Sequence, residues 1–249
     1  MNRKQTYIGI AVIVFIFGVL TIPKIIERIK TDNVVENDRL NVADLNDSDD
    51  TDGELSYINI NGKDRRVPEF ELVNQNGDTI TDKEYRGKVF LVEFFFTRCP
   101  DICIPMSKNL LEIQKEFKDS DKFGIASISI DPEHDTPEVL KAYAKEYGAI
   151  YPHWNFLTGS KDSIYTMANE KFGLLAQANP NVKDNFLHSG LFALVDQNGF
   201  IRSRMDNFGN PKIYYRGFVP RGAAETEDRE DPEINILIED IKKLLKKDQ

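Results

Sequence analysis

Apolar and polar positions change rhythm several times along this chain. An apolar stretch runs from Tyr7 to Ile22, and a polar, acidic segment over 31–54 follows it. From Leu55 onward, short runs of two kinds alternate. Val89-Phe90-Leu91-Val92-Glu93-Phe94-Phe95-Phe96 is nearly all apolar, and Phe123 to Ile130 fills two faces, so both predict buried strands of a parallel sheet. Ser56 to Ile60, Phe70 to Val73 and Asn155 to Leu157 predict shorter strands, with Asn76-Gly77 as a turn signal. Ser107 to Phe117 spaces Leu110, Leu111, Ile113 and Phe117 as one helical face. Thr136-Pro137-Glu138 starts another helix, with Thr as N-cap, Pro at the first position and Gly148 at the end. A further helix opens at Asp162 and runs to Phe172. Leu191 to Val195 and Phe200 to Met205 predict a hairpin closed by Gln197-Asn198-Gly199, and Pro232 to Lys247 an amphipathic helix.

Strand-helix alternation followed by a hairpin and a last helix predicts an α/β thioredoxin-like fold. Helices cover both faces of its central sheet. An N-terminal transmembrane helix is expected to precede it. The apolar run of about sixteen residues is short of a full span of roughly 20, a difference that tilt and snorkelling of Lys24 would make up. No small-residue cleavage site follows it, so an uncleaved anchor is preferred to a cleaved signal peptide. The expected domains are therefore a membrane anchor over 1–30, an acidic flexible linker over 31–54 and a folded domain over 55–249. The expected location is a bacterial inner membrane, crossed once, with the domain in the periplasm. The acids of 46–53 lack the Glu and flanking helices of a calcium loop. Asn207 to Asp231 reads as a long polar connection, either a flap or a loose loop.

The 249 residues carry a net charge of −9, which argues against nucleic acid as a partner, since phosphate binding needs a basic face. The 2 cysteines cannot make a disulfide framework. They sit as Cys99-Pro100-Asp101-Ile102-Cys103, where the strand hands over to the helix. A helix N-terminus there is expected to lower the thiol pKa. The helical spacing places both thiols on one face, within disulfide reach. Redox or metal dithiol is the leading reading. Two buried small hydrophobes and a merely structural disulfide are the alternatives.

Of the 3 histidines, His134 reads as a solvated loop side chain and His153 as surface or half-buried. His188 precedes the strand Leu191 to Val195, a place where active-site loops gather in sheets of this kind. It reads as a ligand or as a histidine satisfied by backbone.

From about Pro68 to Lys247 the chain resembles the Sco/SenC family of copper-handling, thioredoxin-fold proteins. Four blocks carry the resemblance: Phe94 to Cys103, Ser127 to Pro137, Trp154 to Gly159, and His188-Ser189 ahead of Leu194-Val195-Asp196 and Gly199. The resemblance implies a copper site of Cys99, Cys103 and His188, taking Cu(I) or Cu(II). It implies Asp131 as an outer-shell or partner-docking residue, against the plainer reading of a turn residue before Pro132. One departure is that Ile104 stands where the family usually has proline, and Pro105 follows, so the helix is expected to start near Cys103 or Ile104.

Two thiolates and an imidazole suit Cu(I), and a disulfide would remove two of the three donors. The expected function is a membrane-tethered copper metallochaperone that, by resemblance, delivers copper to the binuclear copper site of cytochrome c oxidase. Its partners would be the oxidase's copper-bearing subunit or another copper acceptor, a thiol reductant and the membrane. The alternative is a thiol-disulfide oxidoreductase acting through Cys99 and Cys103 on the acceptor's cysteines. A thiol peroxidase has no use for His188 beside a dithiol.

Overall fold

A computed structural model describes residues 17, 19, 55–60, 62–178, 186–205, 212–222 and 233–246, with the backbone alone for residues 60, 178 and 186–188. The chain divides into two units, residues 1–41 and 42–249. In the first unit only Phe17 and Val19 are described, both helical and exposed. The acidic linker expected over 31–54 lies outside the described residues.

The strands, in chain order, are β1 (Ser56–Tyr57), β2 (Asn59–Ile60), β3 (Lys63–Asp64), β4 (Glu71–Asn74), β5 (Thr79–Thr81), β6 (Val89–Phe95), β7 (Phe123–Ser129), β8 (Trp154–Thr158), β9 (Ala176–Ala178), β10 (Phe186–His188), β11 (Leu191–Val195), β12 (Ile201–Ser203) and β13 (Tyr215–Arg216). The helices are α1 (Cys103–Glu116), α2 (Pro137–Glu146), α3 (Lys161–Thr166) and α4 (Glu233–Lys246), and a π turn, Met167–Phe172, continues α3.

One sheet runs β1-β12-β11-β6-β7-β8-β4-β5. Its centre, β6-β7-β8, is parallel, and antiparallel strands flank it on both sides. Every residue of β6 and β7 is buried, the pattern of strands covered on both faces. Side chains alternate between faces. Phe95 and Phe156 pack edge-on or tilted against Tyr143 of α2, whose hydroxyl lies 3.0 Å from Ser107 Oγ of α1. Phe94, on the opposite face, meets Phe172 of the π turn. Helices therefore cover both faces, as the α/β thioredoxin-like expectation required.

Helix α2 begins where its sequence predicts. Thr136 caps it through the Val139 N–H, and Pro137 occupies the first position. Gly148 takes φ 70°, the left-handed turn that lets the chain leave the helix.

The expected N-terminal transmembrane helix is corrected. Among the described residues no helix is long and apolar enough to cross a membrane. Residues 1–30, save Phe17 and Val19, lie outside the described residues, and their apolar run is itself shorter than a span requires. Single-pass topology in an inner membrane and a membrane partner fall with that helix.

The segment 212–222 is not a loose loop. Strand β13 pairs with β11 on the same edge as β12. β12 and β13 thus share one edge of β11. The Lys212 N–H donates to Arg204 O at 2.8 Å.

Candidate metal centre

The site is built where β6 ends. The Cys99 N–H donates to Phe96 O at 3.2 Å, so the chain turns immediately after the strand. Cys99 lies in this turn, and Cys103 is the first residue of α1. The pair does not share a helical face, because only one of the two is helical. The thiols meet nonetheless, through a hydrogen bond between Cys103 and Cys99. Neither is in a disulfide and both are buried, Cys99 at 8% exposure and Cys103 at 1%. Pro105 falls in the first turn of α1, where a missing N–H is tolerated, and Ile104 turns partly outward.

The expected lowering of the thiol pKa is reversed at Cys103. Burial pushes its thiol up, the hydrogen bond and charge of Cys99 push it further, and only a backbone contact with Phe96 opposes them. A helix N-terminus contributes about a kcal/mol at an exposed site, which is too little to offset desolvation of a buried charge.

A second loop, from Asp131 to Asp135, is locked to the cysteine turn. Asp135 is fully buried and accepts hydrogen bonds from the Thr97 N–H (3.0 Å), Thr97 Oγ1 (2.5 Å) and Ser129 Oγ (2.5 Å). His134 Nδ1 lies 2.8 Å from Asp135 Oδ1. Arg98, directly before Cys99, pairs with Asp131 at 2.5 Å. Asp131 is thus a buried carboxylate tied to the arginine of the cysteine turn. His134, expected as a solvated loop residue, is 40% exposed in its side chain yet oriented by Asp135. His153 is half-buried, as expected.

His188 ends β10, which pairs with β9 so that His188 lies opposite Ala176. Gly190, two residues on, sits against the cysteine loop: a methyl group there would lie 3.2 Å from Ile102 Cδ1 and 2.5 Å from Phe218 Cδ1. The backbone after His188 therefore abuts the residue before Cys103. The His188 side chain lies outside what is described.

The expectation of a defined copper site is corrected to this extent: among the described residues no assembled site of two cysteines and one histidine is shown. The two sulfurs come together, but the one group of three possible metal donors among the described residues is Asp131, His134 and Asp135. That group does not behave as a vacant site. Both oxygens of Asp135 already accept hydrogen bonds, and Asp131 is ion-paired, so a cation would have to displace them all.

Sequence reasoning missed Thr97 and Asp135 as the residues that join the two loops. It also missed Glu93, a carboxylate in an otherwise apolar strand. Glu93 is 1% exposed, and burial raises its pKa to about 7, with a hydrogen bond from Ser127 Oγ (2.5 Å) pulling the other way. A lone acid inside an apolar run was the available signal.

The SCO1/SenC family model matches residues 59–218. The SCO1 protein homolog of Bacillus subtilis (strain 168) is 35% identical over 135 residues, covering 53% of this chain and 69% of the relative. BsSco, described as a member of the Sco family of cytochrome c oxidase assembly proteins with a disulfide switch, superposes with a TM-score of 0.56 at 29% identity, covering 72% of this chain and 92% of that one. Bradyrhizobium japonicum ScoI with copper bound gives a TM-score of 0.54 at 27% identity, over 72% of this chain and 99% of that one. Matched across more than half its length and in the same sheet, this chain belongs to the SCO1/SenC family of copper chaperones.

Proposed function

We propose that this chain takes up copper on Cys99 and Cys103 and passes it to an acceptor protein, the copper-bearing subunit of cytochrome c oxidase. One observation carries the reading. In a chain with 2 cysteines, the two thiols lie outside any disulfide, buried and hydrogen-bonded to each other where a strand meets a helix. Two soft sulfur donors favour Cu(I) over harder cations. His188 is the imidazole proposed to join them, since the backbone that follows it packs beside Ile102. The oxidase as acceptor rests on BsSco, which belongs to a family of oxidase assembly proteins.

Anaerobic copper titration of the reduced chain tests this. One copper per chain is expected, with tight binding lost in Cys99→Ser and in Cys103→Ser and strongly weakened in His188→Ala. Unchanged affinity in the cysteine variants overturns copper uptake, and unchanged affinity in His188→Ala removes that residue from the donor set. The oxidoreductase reading is favoured by the same paired thiols. It is distinguished in cells: a reductase keeps oxidase activity in His188→Ala and loses it in Cys99→Ser, whereas a copper carrier that uses all three residues loses it in both.

A further inference from the structure

The cysteine-bearing helix and the segment after His188 are tied by a third piece of chain, the turn 217–221. Asn109 lies in the second turn of α1 and is 3% exposed. Its side-chain amide is given over to that turn. Nδ2 donates to Gly217 O (2.7 Å) and Val219 O (2.8 Å), and Oδ1 accepts the Arg221 N–H (3.3 Å). The Gly217 N–H in turn donates to Gly190 O at 2.8 Å, which extends the pairing of β13 with β11. Between these two anchors stands Phe218. Its ring lies against Gly190, as does Ile102, which comes directly before Cys103. Phe218 keeps 38% exposure, a large apolar side chain held at the rim of the site rather than in the core.

We infer that Asn109 and Phe218 are positioning residues for copper, a strap and a spacer that fix the separation between the cysteine turn and the His188 segment. The inference rests on the copper reading of Cys99, Cys103 and His188. Asn109 supplies the strap, because a buried amide with three backbone partners allows little play. Phe218 supplies the spacer. Gly190 has no side chain, so the ring sets how closely the two backbones approach. Neither residue touches the metal in this scheme. They act on donors held by other elements, as outer partners of a metal site do.

The test uses the purified chain with Asn109→Leu, Phe218→Ala and Phe218→Leu. Copper affinity is read by competition with a chromophoric chelator, and site geometry by the thiolate-to-copper absorption band. Circular dichroism reports folding. Amide exchange of 186–192 is followed without copper, with 89–95 as the internal reference. Asn109→Leu and Phe218→Ala are expected to weaken copper by about tenfold, within the range for outer partners, and to shift the band. Phe218→Leu, which keeps most of the bulk, is expected to restore both. Exchange at 186–192 should quicken while 89–95 stays protected. Phe218 is half-exposed, so its truncation does not endanger the fold if Asn109→Leu does. Wild-type affinity and band in folded Phe218→Ala overturn the inference, even if exchange changes. Should the wild-type chain take up no copper, the functional reading falls instead. The exchange result then decides the strap: faster exchange at 186–192 supports it and unchanged exchange overturns it.

Discussion

Asp135 holds Thr97 twice, its two carboxylate oxygens accepting from the backbone N–H at 3.0 Å and the hydroxyl at 2.5 Å. Thr97 lies two residues before Cys99, so this fully buried carboxylate fixes the start of the cysteine turn from a loop 38 residues away. Removing the acceptor leaves the Thr97 N–H and the Ser129 hydroxyl without their partner. Asp135→Ala is expected to cost about 3 kcal/mol, and Thr97→Val, which loses only the hydroxyl bond, about 1–2 kcal/mol. Urea unfolding of the reduced chain checks both values. Equal losses in the two variants would show that the Thr97 N–H and Ser129 bonds to Asp135 contribute nothing.

Glu93 sets a pH dependence of opposite sign to that of an ordinary surface acid. Its pKa stands near 4.5 when exposed and is pushed up to about 7 in the fold by burial. The folded state therefore binds more protons than the unfolded state between those values, and stability falls as pH rises through that window. A shift of that size corresponds to roughly 3 kcal/mol. Its Oε2 has no hydrogen-bond partner among the described residues, which fits a carboxyl held neutral. Glu93→Gln is expected to match the wild type in stability near pH 4 and exceed it by roughly 3 kcal/mol at pH 8. Chemical denaturation at the two pH values measures the difference. A constant offset across the range would mean that Glu93 is not titrating in this window.

Local pattern made the core strands and most helix starts legible because each depends on a few neighbouring residues. Val89 to Phe96 reads as a buried strand, and Thr136-Pro137 as a capped helix start, without help from the rest of the chain. The strand Thr79–Thr81 and the hairpin of β9 and β10 escaped, being three residues each and defined by their partners rather than by composition. β13 was hidden for a like reason: it is two residues long and is defined by its pairing with β11. The two cysteines were legible as a site. Their chemistry was misjudged at Cys103, since the sequence shows the helix start but not the 1% exposure that governs the thiol. Asn109 reads as a polar position on a helix surface. Its partners lie 108 and 110 residues further on, where no local rule reaches.

Raised by burial, the Cys103 thiol carries its proton at neutral pH, so copper must displace that proton on binding. Copper affinity should therefore strengthen with pH, by up to about tenfold per unit for each proton displaced. Titrations at pH 6, 7 and 8 in weak buffer, with the released acid measured alongside, give both numbers. Uptake that is independent of pH, with no acid released, would contradict a protonated resting thiol. In the copper-free chain, alkylation is expected first at Cys99, which keeps 8% exposure against 1% for Cys103.

Gly190 and Gly217 flank the Phe218 turn and differ in what a methyl group would strike. At Gly217 it would lie 2.6–2.9 Å from three atoms of the Phe192 ring, which is fully buried and has nowhere to go. At Gly190 the closest atom, at 2.5 Å, belongs to Phe218, whose half-exposed ring can swing outward. Overpacking is paid in full only where the neighbour cannot yield, so Gly217→Ala is expected to destabilise by about 3 kcal/mol and Gly190→Ala by about 1 kcal/mol. The severe part of the Gly190 clash is with Phe218, with Ile102 Cδ1 further off at 3.2 Å, and truncating Phe218 should remove that part. In a double-mutant cycle, Gly190→Ala with Phe218→Ala should therefore cost less than the sum of the single changes, whereas Gly217→Ala with Phe218→Ala should add. Thermal and urea unfolding of the three single and two double variants decide it. Additivity at Gly190 would mean that Phe218 does not lean on that glycine in solution.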